Sequence, residues 1–213
     1  MAAKIKKPVL PVELQLTTLT DYMAEEEPFI LNAQIKSEEQ AGLQVDKLIV
    51  SKSRFEHVIL VNAMLERADL TDVVFENCDL SNVSFNEAVI HRVSFKGCKL
   101  TGADFSKAHL GNVTFENCLV NLSDFVEARL KTVAFRKSSL VSANFSDCLL
   151  KSIELIECEI DDIQFAQTEL KGLDISTCTY NRLHTALTQI DGLIVSKEQA
   201  IGFAKLLGVQ IKE

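Results

Sequence analysis

Every fifth residue between Phe55 and Ile175 is Phe, Leu, Ile or Val, without exception over 25 consecutive positions. An α-helix repeats every 3.6 residues or so and a plain strand about every 2, so neither structure accounts for this spacing. The chain must instead turn once per five residues. We call the fifth-residue position the centre of each repeat.

The positions around each centre show which side chains point inward. The residue two before the centre is small or apolar almost throughout, and the other three are mostly polar. Phe recurs at every tenth residue from Phe75 to Phe145, and Cys recurs at every twentieth residue from Cys78 to Cys178, interrupted only by Ser138. Stacked side chains prefer like neighbours, so a period of twenty indicates four repeats per coil. We expect a four-sided tube with Phe on two opposite faces.

Several repeats carry a recognisable motif. Ala68-Asp69-Leu70-Thr71-Asp72, Ala103-Asp104-Phe105-Ser106-Lys107 and Ala143-Asn144-Phe145-Ser146-Asp147 resemble the A(D/N)LXX pattern of the pentapeptide-repeat family. This resemblance implies an all-β fold, a right-handed quadrilateral parallel β-helix, here with a C-terminal α-helical cap. At a strand spacing of about 4.8 Å, the six or so coils would form a tube roughly 29 Å long. No insertion breaks the register, so we expect no protruding loop.

The pattern divides the chain into three parts. Residues 1–50 are predicted to be an N-terminal segment and an irregular first coil that caps the tube, residues 51–178 the β-helix, and residues 179–213 a helix and tail for dimerisation. Within the first part, we expect residues 1–10 to be mobile and residues 12–27 to form a short helix or an extended cover. The coil is expected to be irregular because the register fails at Ser37-Glu38-Glu39-Gln40.

The C-terminal part carries clear helix signals. Ser196 and Gln199 fit a capping box, a wide apolar stripe follows, and Gly208 is a natural stop. We interpret Val209-Gln210-Ile211 as a short strand. The stripe is more apolar than a cap on a narrow tube requires, which favours a twofold homodimer. The predicted dimerisation residues are Ile201, Phe203, Leu206, Leu207, Val209 and Ile211.

Charge and composition limit the possible partners. The net charge of −8 argues against direct binding of nucleic acid, which needs clustered Lys and Arg. Lys4, Lys6 and Lys7 are followed by Pro8 rather than by a long apolar stretch, and no segment has the length of a membrane span. We therefore predict a cytoplasmic protein without a membrane anchor, whose cysteines act as small buried hydrophobes.

The sequence contains no catalytic motif. It has neither a Gly-rich phosphate loop nor a nucleophile elbow, so we predict that the protein is not an enzyme and binds no cofactor. His91 and His109 share a predicted face but hold different repeat positions, and we interpret them as solvated surface histidines. The cysteine column lies inside the tube, where no ion fits. We predict no metal site.

The outward residues sort unevenly by charge. One face is net −4, counting Arg67 and Lys107 against six acidic residues, which are Glu66, Glu87, Asp104, Asp124, Glu127 and Asp147. Another face is net +2 through Arg92, Arg129, Lys131, Lys151 and Lys171. Outward apolar residues share a further face, and these are Ile59, Val61, Leu119, Leu122 and Val141.

A loop-free acidic tube with a C-terminal helix is similar to the gyrase-interacting quinolone-resistance members of the family, the Qnr and MfpA type. This resemblance implies a homodimeric DNA mimic that binds DNA gyrase or topoisomerase IV, inhibiting the enzyme or protecting it from quinolones. From the charge sorting we predict that the six acidic residues make the contact. Duplex DNA carries one charge per about 1.7 Å, several-fold more than this face, so mimicry would also rest on shape. The alternative is a non-catalytic interaction scaffold or stress-associated repeat protein that docks another partner through the apolar residues.

Overall fold

The chain winds as a right-handed, four-sided parallel β-helix with a cap at each end. The computed structural model describes residues 4–23, 28–206 and 209–210. In chain order the elements are β1 (Gln15–Leu16), α1 (Thr20–Met23), β2 (Phe29–Leu31), β3 (Ala33–Lys36), β4 (Ile49–Glu56), β5 (Asp69–Glu76), β6 (Val89–Lys96), β7 (His109–Glu116), β8 (Arg129–Arg136), β9 (Leu149–Ile156), β10 (Ile163–Gln164), β11 (Leu183–His184), a 3₁₀ turn (Leu187–Gln189) and α2 (Lys197–Leu206). Among the described residues, no helix is both long and apolar enough to cross a lipid bilayer.

Successive coils pair in parallel at a constant offset of 20 residues, as Leu70 with Ile90 and Phe75 with Phe95 show. This register confirms four repeats per coil. Each strand from β4 to β9 bends at a corner residue with positive φ, such as Asp72 at 59°, and so covers two faces. The other two faces are joined by rows of single bridges, for example Asp79 with Lys99.

We number the faces I to IV in the order in which the chain visits them. Face I is centred on Leu70, Ile90, Leu110, Leu130 and Leu150; face II on Phe75, Phe95, Phe115, Phe135 and Leu155; face III on Leu80, Leu100, Val120, Leu140 and Ile160; and face IV on Phe85, Phe105, Phe125, Phe145 and Phe165. Faces II and IV lie opposite each other. The predicted opposition of the two Phe faces is therefore confirmed.

The interior is filled by stacked aromatic rings. The Phe115 ring stacks on Phe95 at 4.9 Å and on Phe135 at 4.6 Å, with interplanar angles of 6° and 5°. Across the tube it meets the edge of Phe105 at 6.0 Å and 85°. Stacked and edge-to-face arrangements are the ones that the aromatic quadrupole favours. The period of ten therefore fills the tube with one continuous aromatic core.

All six cysteines are free and buried, in agreement with their predicted packing role. The Cys98 thiol lies 3.5 Å from the carbonyl oxygen of Phe75, and equivalent contacts recur along the column. Ser138 interrupts the series without disrupting it, because its hydroxyl donates to the Phe115 carbonyl at 3.3 Å and accepts from the Cys118 N–H at 3.0 Å. Cysteine therefore acts here as a small inward side chain.

The first coil is regular, so the expected irregularity was wrong. Its pairing with β4 already follows the 20-residue offset. Glu38 and Gln40 hold inner positions but bind the cap instead of an apolar layer. The Leu19 N–H donates to Glu38 Oε2 at 2.8 Å, and Gln40 Nε2 donates to Thr20 Oγ1 at 3.3 Å. Polar residues interrupt the sequence pattern here because the tube ends here.

Residues 4–11, which we call the strap, lie along the corner between faces I and II. The Val9 N–H donates to Asp72 Oδ1 at 2.9 Å, and the Lys6 N–H donates to Asn112 Oδ1 at 3.1 Å. Asp72 and Asn112 are two coils apart, so the strap runs along the tube axis. The expectation that residues 1–10 are mobile was therefore wrong for residues 4–10, while residues 1–3 lie outside the described part of the chain.

Beyond the strap, the chain covers the N-terminal end of the tube with both of the forms considered for residues 12–27. Strand β1 pairs with β3, and the single-turn helix α1 follows. Residues 24–27 lie outside the described part of the chain.

The capping box at Ser196 and Gln199 is confirmed. The Gln199 N–H donates to Ser196 Oγ at 3.2 Å, and the Ser196 N–H donates to Gln199 Oε1 at 2.8 Å. Val209 and Gln210 do not form the expected strand, whereas Gly208 and Ile211 lie outside the described residues.

The coil of residues 169–176 separates from β9 on faces I and II. No backbone hydrogen bond joins it to residues 149–156, whereas the bridge of Glu159 with Thr179 still holds face III of this coil and the pairing of β10 with β11 still holds its face IV. At the two ends of the opening, threonine hydroxyls replace the backbone acceptors: Cys148 N–H donates to Thr168 Oγ1 at 2.9 Å and Glu157 N–H to Thr177 Oγ1 at 3.1 Å. The apolar period continues through this coil, but its strand pairing does not.

Candidate partner-binding surface

Face IV brings the six predicted acidic residues onto one side of the tube. Asp104 and Asp124 are bridge partners in adjacent coils. Glu87, Glu127 and Asp147 occupy one corner column, in which Lys107 lies between the two glutamates. Glu66 lies on the same face one coil before Glu87. The structure thus supports the grouping, while the role of these residues in binding stays a prediction.

Two of the six carboxylates also serve the backbone. Asp104 Oδ1 accepts from the N–H of Ser106 at 2.8 Å and from its hydroxyl, and Asp124 Oδ1 accepts from the Val126 N–H at 2.9 Å. Both aspartates are half-buried, whereas Glu87, Glu127 and Asp147 are exposed. Because Asp and Asn close such turns with their own side chains, only the second carboxylate oxygen of each aspartate remains for a partner.

None of the six carboxylates forms an ion pair with a described residue. Other faces differ: Glu154 pairs with Arg136 at 2.6 Å, and Asp79 pairs with Lys99 at 3.4 Å. Arg67, which the sequence counts against the acidic charge, is held by Asp46 through contacts of 2.9 and 2.5 Å. The acidic charge of face IV is therefore directed at the solvent.

Face I carries the predicted basic residues, but Arg92 is not one of its unpaired cations. Its guanidinium binds Asp72 through two contacts of 2.6 Å. This hydrogen bonding, with the Val9 N–H and the positive charge of Arg92, holds the pKa of Asp72 below its usual range despite burial. This ion pair was not among the predictions from the sequence, although opposite charges 20 residues apart in one column indicate it.

The other basic residues of face I, Arg129, Lys131, Lys151 and Lys171, form no ion pair with a described residue. Two of them, Lys131 and Lys151, lie directly opposite each other in β8 and β9. Like charges placed opposite each other in adjacent strands are destabilising. Face I is therefore basic and lacks local compensation.

His91 and His109 lie on face I in different columns, as expected. His91 pairs with Gly111, and His109 pairs with Val89 and Arg129. Burial lowers the pKa of His91, and the charges of Arg92 and Lys6 lower it further. Within the described part of the chain, no three His, Cys, Asp or Glu side chains come together as metal ligands would.

The apolar residues of face III form two separate groups. Leu119 is 49% exposed and Leu122 is 64% exposed, with Val141 in the next coil. Ile59 and Val61 lie three coils away, beyond the Asp79–Lys99 ion pair. Only the first group, Leu119, Leu122 and Val141, forms an apolar cluster.

The predicted dimerisation residues are only partly described. Ile201 is 42% exposed and Val209 is 52% exposed, whereas Phe203 is half-buried. Phe203 lines a cavity of about 220 Å³ between α2 and the last coil, with Tyr180 and Leu183 on the other side. The side chain of Leu206, and the whole of Leu207 and Ile211, lie outside the described part of the chain. Their role in dimerisation stays a prediction.

Comparison with solved structures shows the same fold elsewhere. HetL, a pentapeptide repeat protein involved in heterocyst differentiation regulation in the cyanobacterium Nostoc sp. strain PCC 7120, has a TM-score of 0.59 and 16% identity, over 84% of this chain and 91% of HetL. A trypsin-treated variant of QnrB1, a plasmid-mediated fluoroquinolone resistance protein, has a TM-score of 0.41 and 17% identity, over 87% of this chain and 98% of QnrB1. At 16% identity, the likeness to HetL shows the fold alone.

Comparison with sequence families is more direct. A search of curated proteins found no match. The family described as "Pentapeptide repeat region" matches residues 88–165, and the family described as "Pentapeptide repeats (8 copies)" matches residues 51–86 and 68–106. Together these matches span more than half of the chain, and they coincide with the coils whose 20-residue register is described above. The protein therefore belongs to the pentapeptide-repeat family.

Proposed function

We propose that this protein is a non-catalytic DNA mimic that binds a type II topoisomerase, either DNA gyrase or topoisomerase IV, through face IV. The observation that carries the proposal is that the six carboxylates of this face form no ion pair with described residues. A DNA-binding surface is rich in Lys and Arg, so an unpaired acidic face complements it. The sequence resemblance to the gyrase-interacting members narrows the partner class.

The shape of the rod supports the same function. No loop interrupts face IV between Glu66 and Asp147, because the register holds at 20 residues throughout this span. A partner with an elongated binding groove could therefore contact several coils at once. The acidic charge is weaker than that of a duplex, so we assign specificity to shape and to exposed carboxylates such as Glu87, Glu127 and Asp147 together.

We further propose that the active form is a homodimer joined through the C-terminal helix and tail, and that it acts in the cytoplasm. Exposure of Ile201 and Val209 supports the dimer, because a twofold contact would cover both. The cytoplasmic assignment is supported by the six free cysteines, since oxidising compartments favour disulfides.

The decisive experiment is a DNA supercoiling assay with purified gyrase, and a decatenation assay with topoisomerase IV, each with and without a quinolone. We expect the protein to inhibit the enzyme or to protect it from the drug. The two enzymes and the drug-free arms distinguish inhibition from protection. An absence of both effects on both enzymes at micromolar protein would remove the proposal.

A second candidate function is supported by the apolar cluster on face III. Leu119, Leu122 and Val141 could anchor a protein partner of another kind, making the rod an interaction scaffold. Replacing Leu119 and Leu122 with Ser should abolish capture of that partner from a lysate while leaving the fold intact, because both side chains are exposed. Unchanged capture would contradict this candidate.

A further inference from the structure

Face I contains a shallow depression centred on Gly111. The other coils place side chains in this column, including Thr71, His91, Lys131 and Lys151. Gly111 has no positive φ, so the backbone does not require glycine there. A Cβ on Gly111 would lie 3.0 Å from Nδ1 of His91, so the imidazole leans over the glycine. Beside this glycine lies an open depression of about 340 Å³, to whose lining Val89, Ile90 and Leu110 contribute apolar surface.

Nitrogen-bearing side chains surround this depression. His91 and Lys131 flank Gly111 in the two neighbouring strands, and His109 and Arg129 line its other side. The strap adds Lys6, whose backbone is anchored on Asn112, the residue next to Gly111. Burial lowers the pKa of His91, and the charges of Arg92 and Lys6 lower it further against the opposing charge of Asp72, which places Lys6 near this ring. Positive charge therefore converges on the depression from several elements.

No carboxylate among the described residues forms an ion pair with Lys6, Arg129 or Lys131, and the charge of Asp72 acts on His91 alone. The nearby carboxylate of Asp72 is already occupied by Arg92 and by the Val9 N–H. Lys131 also faces Lys151 in the next strand. Stacked like charges are destabilising in a sheet, and a bound anion would relieve the repulsion.

We propose that the depression at Gly111 binds the phosphate group of a small phosphorylated molecule. Neighbouring strands are about 4.8 Å apart, and outward residues within a strand about 6.6 Å apart, so donors on opposite sides can reach one tetrahedral oxyanion. An arginine fork and a lysine ammonium are suited to phosphate oxygens. The net charge of −8 and the acidic face IV disfavour a long polyanion, and therefore a small ligand is favoured. The site lies on a different face from the proposed topoisomerase contact and does not depend on it.

The four histidines provide an internal control for the test. His91 and His109 line the depression, whereas His57 and His184 lie elsewhere. Inorganic phosphate would be titrated into the full-length protein at constant pH and ionic strength, and the imidazole resonances would be followed by NMR. We expect saturable shifts of His91 and His109 but not of His57 and His184. Equal shifts of all four histidines, or shifts that do not saturate, would overturn the proposal.

Variants then assign the site. Gly111→Thr introduces the residue that Thr71 already places in this column, so it narrows the depression and crowds the His91 ring while retaining every charge. It should weaken phosphate binding by at least about tenfold, as should Arg129→Gln and Lys131→Gln. The control variant, Lys99→Gln, removes one positive charge from face III and should leave the phosphate affinity unchanged. Thermal melting would confirm that each variant folds. Unchanged affinity in Gly111→Thr would overturn the assignment of the site.

The ligand class is tested with larger phosphate-bearing probes. Tighter binding of a mononucleotide than of inorganic phosphate would support a small phosphorylated ligand. Tighter binding of a long single-stranded oligonucleotide than of the mononucleotide would overturn it in favour of a polyanion. Each probe should lose affinity in Lys131→Gln if it occupies the same depression.

Discussion

The side-chain amide of Gln199 donates a hydrogen bond of 2.9 Å from Nε2 to the carbonyl oxygen of Cys178, joining α2 to the last coil of the tube. The same nitrogen donates to the Ile175 carbonyl at 3.0 Å, while Oε1 accepts from the Ser196 N–H. A single side chain therefore starts the helix and satisfies carbonyl groups at the raw end of the solenoid. Open ends of stacked coils need such a cover.

Gln199→Ala should accordingly uncouple the helix from the tube. The loss of the cap and of two hydrogen bonds to carbonyls should lower the free energy of unfolding by about 1–3 kcal/mol. Urea unfolding would measure the loss, and hydrogen exchange should localise it to the last coil and α2. Lys197→Ala, in the same helix, is the control and should remain within about 0.5 kcal/mol of the original protein. Equal stability of the two variants would show that the cap is dispensable.

The strap should respond to acid through Asp72. The Arg92 guanidinium, more than any other group, holds the pKa of Asp72 low, so its contribution to stability is complete above the unfolded value of about 3.9 and disappears as the pH falls through the lower folded value. The Val9 N–H donates to this carboxylate, so its NMR chemical shift should follow the protonation of Asp72, with a midpoint below about pH 3.9. A midpoint at or above that pH would contradict the assigned pairing.

Asp72→Asn should weaken the same corner at neutral pH. The substitution leaves Arg92 without its carboxylate and weakens the anchor of Val9, which should cost about 1–3 kcal/mol of unfolding free energy. Asp69→Asn changes an exposed residue of the same strand by the same charge and should cost less than about 0.5 kcal/mol. Chemical denaturation of both variants measures the difference, and similar losses would indicate a general effect of charge.

In the aromatic core, replacing a Phe with Leu should cost less unfolding free energy than replacing it with Ala, which leaves a cavity. Phe115→Ala removes a ring held between Phe95 and Phe135 and should cost about 3–5 kcal/mol. Phe115→Leu should cost only roughly 1–2 kcal/mol, because Leu155 already occupies this column one coil beyond Phe135. Equal losses in urea unfolding would mean that the stacking geometry, and not the filled volume, dominates.

In the topoisomerase assays, the effect of the carboxylates of face IV should be distinguishable from the effect of the protein's net charge. Glu87→Gln, Glu127→Gln and Asp147→Asn together should weaken inhibition or protection by at least about tenfold, because the exposed corner column of face IV loses its carboxylates. The matched control is Glu116→Gln, Glu159→Gln and Glu169→Gln, which makes the same charge change with exposed residues outside face IV. Equal loss in the two triple variants would assign the effect to overall charge.

The proposed dimer should depend on Ile201. This side chain is 42% exposed in the single chain, so Ile201→Asp should leave the monomer folded while burying a charge in the dimer contact. Light scattering should show a monomer for Ile201→Asp and a dimer for the original protein. Lys197→Ala changes the charge by the same amount and should remain dimeric. A monomeric original protein at high concentration would contradict the dimer itself.

Some properties of this protein could be read directly from its sequence. The five-residue spacing of centres, the tenth-residue Phe and the twentieth-residue Cys predict the coil, its four faces and its core. Ser196 and Gln199 predict the start of α2. These features are readable because each depends on residues that recur at a constant spacing or lie within one helical turn. The same register sorted the acidic, basic and apolar residues by face.

Only the tertiary structure decided how the ends close and which charges remain unpaired. Val9 and Asp72 are far apart in the chain, so no local pattern indicates that the strap lies in that corner. Arg92 is a structural cation because it is bound to Asp72, whereas the charges of Glu87 and Lys131 have no ion-pair partner among the described residues. Hydrogen bonds and ion pairs depend on side-chain positions across neighbouring coils, which periodicity places in columns but does not pair.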